Sequence, residues 1–443
     1  MTERVPKSRL RVEADFDRLT HYLFRYPAKF HPPVVRALLE RYTSEGEVVF
    51  DPFCGSGTLL VEAAVVGRPS IGLDVDPVAV AVARAKVHRY QVPRLEQSAE
   101  VLLARLRTVR RPAEEYERHM FDDLSEAEYK EQVRSVRSWV PAIPNLTHWF
   151  RRYVVIDLAR IRRAVEETSM PETHRELFRV VFASIIRNSS NADPVPVSGL
   201  EVTAYMKRRD EAGRLVNPFA LFERAVNRAA EACKTFAEQS SPDAPAKAVL
   251  GDATRLNGFS ANRVDAVITS PPYHGAVDYY RRHQLEMFWL GQTNTVEDRL
   301  TLLHSYVGRP RVPQSHPYVA DALLKAALAK RWEARIRRVS GERADAFRHY
   351  VTAMTKVFDG LAELVPSGAP AILIVGHSTW NKSRISTTNL FKECADKAFR
   401  LREVLWYPVK NRYMSYSRHN NADINKEYAL VFERTRRRHA EPT

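Results

Sequence analysis

Short apolar runs that stop at an acidic or turn-forming residue open the regular structure of this chain. Val48-Val49-Phe50-Asp51 predicts a buried strand, Pro52 to Gly57 a turn-rich loop, and Thr58 to Gly67 a helix. A second short strand, Ser70 to Asp74, and the alanine-rich helix Pro77 to Tyr90 follow. Strands that are apolar throughout need helices on both faces, so this order predicts the start of a parallel α/β sheet. The rhythm returns near Lys247. Ala248-Val249-Leu250 leads to Gly251-Asp252, and Val264 to Thr269 ends at Ser270-Pro271-Pro272-Tyr273 before a helix through Leu290. The amphipathic stretch Ala344 to Leu364 predicts a helix, and Ala371 to Val375 a strand. Two late strands, Glu403 to Tyr407 and Tyr428 to Phe432, suit an antiparallel pair that closes the sheet.

Between these halves the period changes. Gln91 to Ala246 is mostly amphipathic helix, as in Tyr153 to Glu167 and Leu177 to Arg187, with one segment, Ala192 to Thr203, too proline-rich for helix. Val307 to Arg343 reads as a smaller insertion, a loop around Pro310-Arg311-Val312-Pro313 and then a basic helix. The expected organisation is a sheet domain begun in 1–90, a helical insertion at 91–246, the sheet domain continued in 247–306, a small basic insertion at 307–343, and the end of the sheet domain with a basic tail in 344–443. No internal repeat is visible.

Composition narrows the partners. The net charge of +15 favours a polyanion, because lysine and arginine gain affinity by displacing counterions from phosphates. The three cysteines, Cys54, Cys233 and Cys394, form no CxxC pair or His/Cys cluster, which argues for a reducing cytoplasm and against structural zinc. No metal site is expected. No run approaches the roughly 20 apolar residues that cross a bilayer, and the polar, basic start Met1 to Arg11 is unlike a signal peptide.

Four motifs carry chemistry. Asp51-Pro52-Phe53-Cys54-Gly55-Ser56-Gly57-Thr58 follows a strand, and its glycines let the backbone approach a ligand. No lysine follows Gly57 and a third glycine is missing, so it is neither a phosphate-binding P-loop nor a complete dinucleotide fingerprint. In Gly72-Leu73-Asp74-Val75-Asp76-Pro77, an acid at the strand end can accept ribose hydroxyls; Asp74 fits that place, whereas Asp76 can instead cap the helix opening at Pro77. Asp252 after the next strand can accept an adenine amino group, although Gly-Asp is also an ordinary turn. The most specific motif is Ser270-Pro271-Pro272-Tyr273. An exocyclic amine is a poor nucleophile while its lone pair is delocalised into the ring. Two acceptors, Ser270 Oγ and the Pro271 carbonyl, can hold its N–H groups so that the nitrogen pyramidalises. Successive prolines such as Pro271 and Pro272 stiffen the loop and withhold donors, and Tyr273 offers a face to a flipped base.

Together these motifs resemble the amino-group DNA methyltransferases of bacteria. DPFCGSGT is similar to that family's DPFxGSGT, and its SPPY tetrad is usual for cytosine-N4 enzymes, DPPY or NPPY for adenine-N6 enzymes. The resemblance implies a Rossmann-like seven-stranded sheet, S-adenosylmethionine as methyl donor, base flipping, and cytosine N4 as target ahead of adenine N6. It places Asp51, Pro52, Phe53, Gly55, Ser56, Gly57, Thr58 and Asp74 around the donor and Asp252 near its adenine. Ser270, Pro271, Pro272 and Tyr273 would hold the base. Arg25 to Pro32 resembles the segment covering the donor's methionine end, with Lys29 and Phe30 the residues expected there. The order, donor loop before tetrad with a long insertion between, departs from the best-known N4 enzymes. Duplex DNA is the implied partner, a cognate restriction endonuclease a further one, and the bacterial nucleoid the implied location. Cytosine-C5 chemistry needs a thiolate from a Pro-Cys dipeptide, and the chain has none. An RNA base methyltransferase and a DNA-binding protein on an inactive scaffold remain alternatives.

The insertions are the expected DNA readers. Lys207, Arg208 and Arg209 follow the extended segment; Lys325, Lys330, Arg331, Arg335, Arg337 and Arg338 crowd one helix region; Arg281, Arg282 and His283 follow the tetrad closely enough to grip the backbone. Arg412 to Asn421 reads as a loop over the site, and the tail Arg434 to Arg438 as a non-specific basic end.

Overall fold

The structure, a computed structural model, describes residues 5–435 apart from 14–15, 28, 195–199, 260, 262, 276–277, 321–325, 381–382, 396–397 and 410–425. Lys325, the 412–421 loop and the tail past Thr435 lie outside the described residues.

The main strands are β1 (Lys7–Arg9), β2 (Val49–Asp51), β3 (Ser70–Asp74), β4 (Ala246–Leu250), β5 (Ala266–Thr269) and β6 (Pro370–Val375). A small hairpin, β7 (Ser378–Trp380) and β8 (Ser383–Ile385), precedes β9 (Phe399–Pro408) and β10 (Lys426–Arg434). Eight of them form one sheet in the order β1-β9-β10-β6-β5-β2-β3-β4. Strands β2 to β6 pair in parallel, while β10 runs antiparallel to both β6 and β9, as the late apolar runs implied. The α/β class and the seven apolar strands are as the sequence indicates; the eighth is a correction. β1 is exposed along its length and carries no apolar pattern, so its parallel backbone pairing to Val404–Trp406 could not be read from side chains.

Side chains alternate across the sheet because successive residues of a strand point to opposite faces. Val49, Ile268, Ile372 and Val431 pack with Val35 and Leu39 of the helix Pro32–Tyr42 on one face. Phe50, Val267, Leu373 and Leu430 pack with Phe347, Val351 and Phe358 of the helix Gly341–Leu364 on the other. Both faces being covered explains why these strands read as unbroken apolar runs.

The helical region from Val92–Arg107 to Pro218–Gln239 has its own core around Tyr153, Phe178, Phe182 and Phe222, continuous with Phe24 and with Val78 and Val82 of the helix Pro77–Val87. The helix Tyr279–Trp289, which follows the tetrad, is keyed into this core by its last residue. Trp289 is fully buried and meets the rings of Phe150 and Phe182 edge-on at 5.8 and 5.9 Å. Truncating such an anchor removes its burial and leaves a cavity. Trp289→Ala is expected to cost about 3–5 kcal/mol, read as a lower midpoint in urea unfolding; an unchanged midpoint would show that the helix does not depend on this core.

Candidate functional site

The sheet order reverses direction at β2, with β3 and β4 to one side and β5 and β6 to the other. Loops leaving adjacent parallel strands at such a switch point diverge and open a crevice at their carboxyl ends. Here that crevice is a cleft of about 770 Å³. Pro52, Phe53, Gly55, Ser56 and Thr58 reach it from β2, Asp74 and Val75 from β3, Asp252 from β4, and Ser270 and Pro272 from β5. Asp51 also lines it, as do Lys29 and Phe30 from the N-terminal segment. Most of the 51–58 loop and Ser270 and Pro272 of the tetrad, distant in sequence, therefore share one cavity.

The two strand ends are joined directly. Thr269 Oγ1 donates to Asp51 Oδ1 at 2.6 Å, and the Phe53 N–H donates to the same oxygen at 3.0 Å. Across the loop, the Gly55 N–H donates to Asp74 Oδ2 at 2.8 Å and the Asp76 N–H to Asp74 Oδ1 at 2.9 Å. Gly55 has φ +48°, and a Cβ there would lie 3.2 Å from the ring of Tyr26. Gly57 does not line the cleft. With φ +75° it starts the helix Thr58–Val65, and a Cβ would come within 2.9 Å of Ala83, so its role is close packing rather than ligand contact.

Burial dominates the electrostatics. It raises the Asp51 carboxyl from 3.8 to about 7 against the Thr269 and Phe53 hydrogen bonds, and raises Asp74 to about 7, with Asp76 adding repulsion. Ser56 Oγ and Thr58 Oγ1 are buried at the cleft wall without a hydrogen-bond partner among the described residues. Lys29 donates to the His21 carbonyl at 3.2 Å and lies over the Tyr22 ring, and burial lowers it to about 8. Burial and the neighbouring Asp74 and Asp51 push the Cys54 thiol well up, which removes it as a nucleophile.

In the tetrad, Ser270 and Pro272 face the cleft and Pro271 is buried. Tyr273 does not line it. Its hydroxyl donates to Glu427 Oε1 at 2.8 Å, and Tyr407 donates to the other oxygen at 2.5 Å, so a residue of β10 fixes the tetrad's phenol. The wall opposite comes from Ser305, Tyr306 and Val307. This segment spans the seam expected between the sheet domain and the small insertion, and the sequence offered no signal for it. Tyr26 and Tyr279 also line the cleft; Tyr26 lies within the N-terminal run that resembles the cover segment, whereas Tyr279 has no such signal in the sequence.

Asp76 caps its helix, accepting from the Val78 and Ala79 N–H groups at 2.8 and 3.2 Å. Its second oxygen receives His283 Nδ1 at 2.7 Å. His283 is buried among Phe24, Tyr26 and Asp76, which corrects its assignment as a DNA contact: no phosphate reaches it. Asp252 faces the cleft while also accepting from Thr254 N and Oγ1 at 2.8 and 2.7 Å. Lys207, Arg208 and Arg209 are exposed on the helix Ala204–Glu211, and Lys330, Arg331, Arg335 and Arg338 are exposed on or beside Ala327–Arg337. Arg337 is instead occupied by Glu333 and Asp345. Arg281 and Arg282 reach the carbonyls of Leu200 and Pro194.

The N6/N4 DNA methylase family matches residues 3–85, the stretch that carries the cover segment, the cleft loop and Asp74. Type II methyltransferase M.BsoBI of Geobacillus stearothermophilus is 23% identical over 66% of this chain and 56% of its own length. M.MvaI of Kocuria varians is 25% identical over 61% and 58%, and M.MjaII of Methanocaldococcus jannaschii 25% over 39% and 29%. The chain is a relative of the amino-group DNA methyltransferases. It spans less than two thirds of the length of each of these three relatives.

Because Asp51 and Asp74 bind protons more tightly folded than unfolded, their ionisation opposes folding as pH rises from about 4 to about 7. The thermal midpoint of Asp74→Asn is expected to gain on wild type, both without ligand, as pH rises from about 5 to about 8. A difference independent of pH would mean that Asp74 titrates as an ordinary carboxylate.

Proposed function

We propose that this chain is an S-adenosylmethionine-dependent DNA methyltransferase acting on an exocyclic amino group, cytosine N4 ahead of adenine N6. One observation carries the reading: the glycine loop after β2 and Ser270 and Pro272 of the tetrad after β5 line a single cleft, joined by the Thr269–Asp51 hydrogen bond.

The residues present fit the donor. Two carboxyls held near neutrality by burial suit a ligand bearing an ammonium and a sulfonium, whose charges stabilise the ionised acids. The buried hydroxyls of Ser56 and Thr58 have hydrogen-bonding capacity left for its polar end. Asp74 retains lone pairs for ribose hydroxyls, and Asp252, near the end of β4, is placed for the adenine amine. When bound, the donor supplies a methyl group on a positively charged sulfur. The chain's own part is to orient: Ser270 Oγ and the Pro271 carbonyl accept from the two amino hydrogens, leaving the nitrogen lone pair directed at the methyl carbon. Tyr273 stands behind the cleft wall, where its bond to Glu427 steadies the loop that presents Ser270 and Pro272 to the base. The net charge of +15 supports duplex DNA as the substrate, and a cognate restriction endonuclease is the partner such an enzyme would protect against.

Weighing nucleosides from DNA of cells expressing the chain is expected to reveal N4-methylcytosine; N6-methyladenine in its place would move the target while keeping the class. Ser270→Ala is expected to lower turnover by at least about 100-fold with donor binding retained, since one transition-state hydrogen bond is worth that much. Near-normal turnover would remove Ser270 from the mechanism. Calorimetric titration with S-adenosylmethionine should show tighter binding at about pH 8 than at about pH 6, because the carboxylate forms of Asp51 and Asp74 attract a cation.

A further inference from the structure

A second hollow, of about 860 Å³, opens between the helices Ala204–Glu211 and Pro218–Gln239, away from the cleft. Arg187, Arg209, Arg214 and Arg224 line it together with the amides Asn188 and Asn217, and no Asp or Glu does so among the described residues. Two of the arginines are buried and held in place. Arg214 donates to Asp210 Oδ1 at 2.6 Å, the Ser190 carbonyl at 2.9 Å and Asn191 Oδ1 at 3.0 Å, and Arg187 donates to the Asp193 carbonyl at 3.1 Å. The other two, Arg209 and Arg224, are exposed. Four guanidinium groups converging on one hollow repel each other, and an anion between them relieves that repulsion. Asp210 and Asp193 sit beside the buried pair but do not enter the hollow.

The hollow is connected to the cleft by more of the same charge. Its wall residue Pro194 accepts from Arg282, on the helix that follows the tetrad, at 3.4 Å. Burial lowers the pKa of both Arg282 and Arg187; Arg187 and Arg25 add to the lowering at Arg282 and Arg25 does so at Arg187, while Glu286 and Asp193 oppose it at both. Arg25 directly precedes Tyr26 of the cleft wall. Arginines, interleaved with Glu286 and Asp193, thus link the cleft wall to the hollow. A free inorganic anion would use the arginines but leave the exposed Leu215 and the half-buried Leu221 of the wall against water, whereas a sugar–phosphate covers both.

We propose that this hollow binds a phosphodiester of the nucleic-acid strand whose base enters the cleft. That the strand is DNA rests on the function proposed above; that it is a phosphodiester does not. The test is fluorescence anisotropy of a labelled duplex DNA, with wild type and the double variant Arg209→Gln/Arg224→Gln, across a salt series. Both substitutions lie on exposed side chains, and donor binding, measured in parallel, reports folding. The variant is expected to bind at least about tenfold more weakly at 0.1 M salt, for any duplex sequence, with the slope of log affinity against log salt reduced by one to two. Equal affinity and slope would overturn the proposal. So would loss of inorganic phosphate binding with polynucleotide binding unchanged, which would make the hollow a small-anion site. If wild type binds structured RNA in place of duplex DNA and the variant loses that, the pocket stands and the DNA reading falls.

Discussion

Asp51 stands where β2 and β5 end side by side, and its buried side chain accepts the hydroxyl of Thr269 and the N–H of Phe53 at once. Those two bonds fix how far the glycine loop lies from the tetrad, two segments far apart in the chain. The acid is costly to ionise in that place, so burial lifts it to about 7 while the hydrogen bonds pull it down. A cleft whose walls are held by such groups is prepared for a cation. The rest of the architecture serves to bring these two strand ends together: helices on both faces bury β2 and β5, and the antiparallel β10 supplies Glu427 behind Tyr273.

A second linkage parallels the first one level out. Asp76 caps the helix after β3 with one oxygen and holds His283 of the post-tetrad helix with the other. The glycine-loop side and the tetrad side of the cleft are therefore tied twice, once at the strands and once at the helices above them. The same helix ends in Trp289, seated in the helical insertion. The insertion is consequently braced against the elements that form the cleft rather than tethered to them, and its arginines stand at a set position relative to the cleft.

Most of the core and the cleft residues from the glycine loop, Asp74, Asp252 and Ser270 were legible because each sits immediately after an apolar strand. In an open α/β sheet that position alone directs a residue to the ligand crevice. What was misread follows an equally definite rule. His283 follows Arg281 and Arg282 in sequence, but on a helix they face different ways; one face packs on Asp76 and the other reaches the carbonyls of Pro194 and Leu200. Arg337 was counted with its basic neighbours, yet Glu333 lies four residues earlier on the same face and neutralises it.

The sequence by itself determined the α/β class, the strands buried on both faces, and the residue types that the two loops bring to the strand ends, since these depend on local apolar period and on residues within a few positions. Only the tertiary structure decided that Glu427 would hold Tyr273, that Ser305–Val307 would wall the cleft, that β1 would extend the sheet, and that Arg187 and Arg224 would face one hollow. Such pairings join residues far apart in the chain through backbone hydrogen bonds or lone side chains. They leave no periodic trace, because their cost and gain depend on burial that arises only once the sheet and insertion have closed on each other.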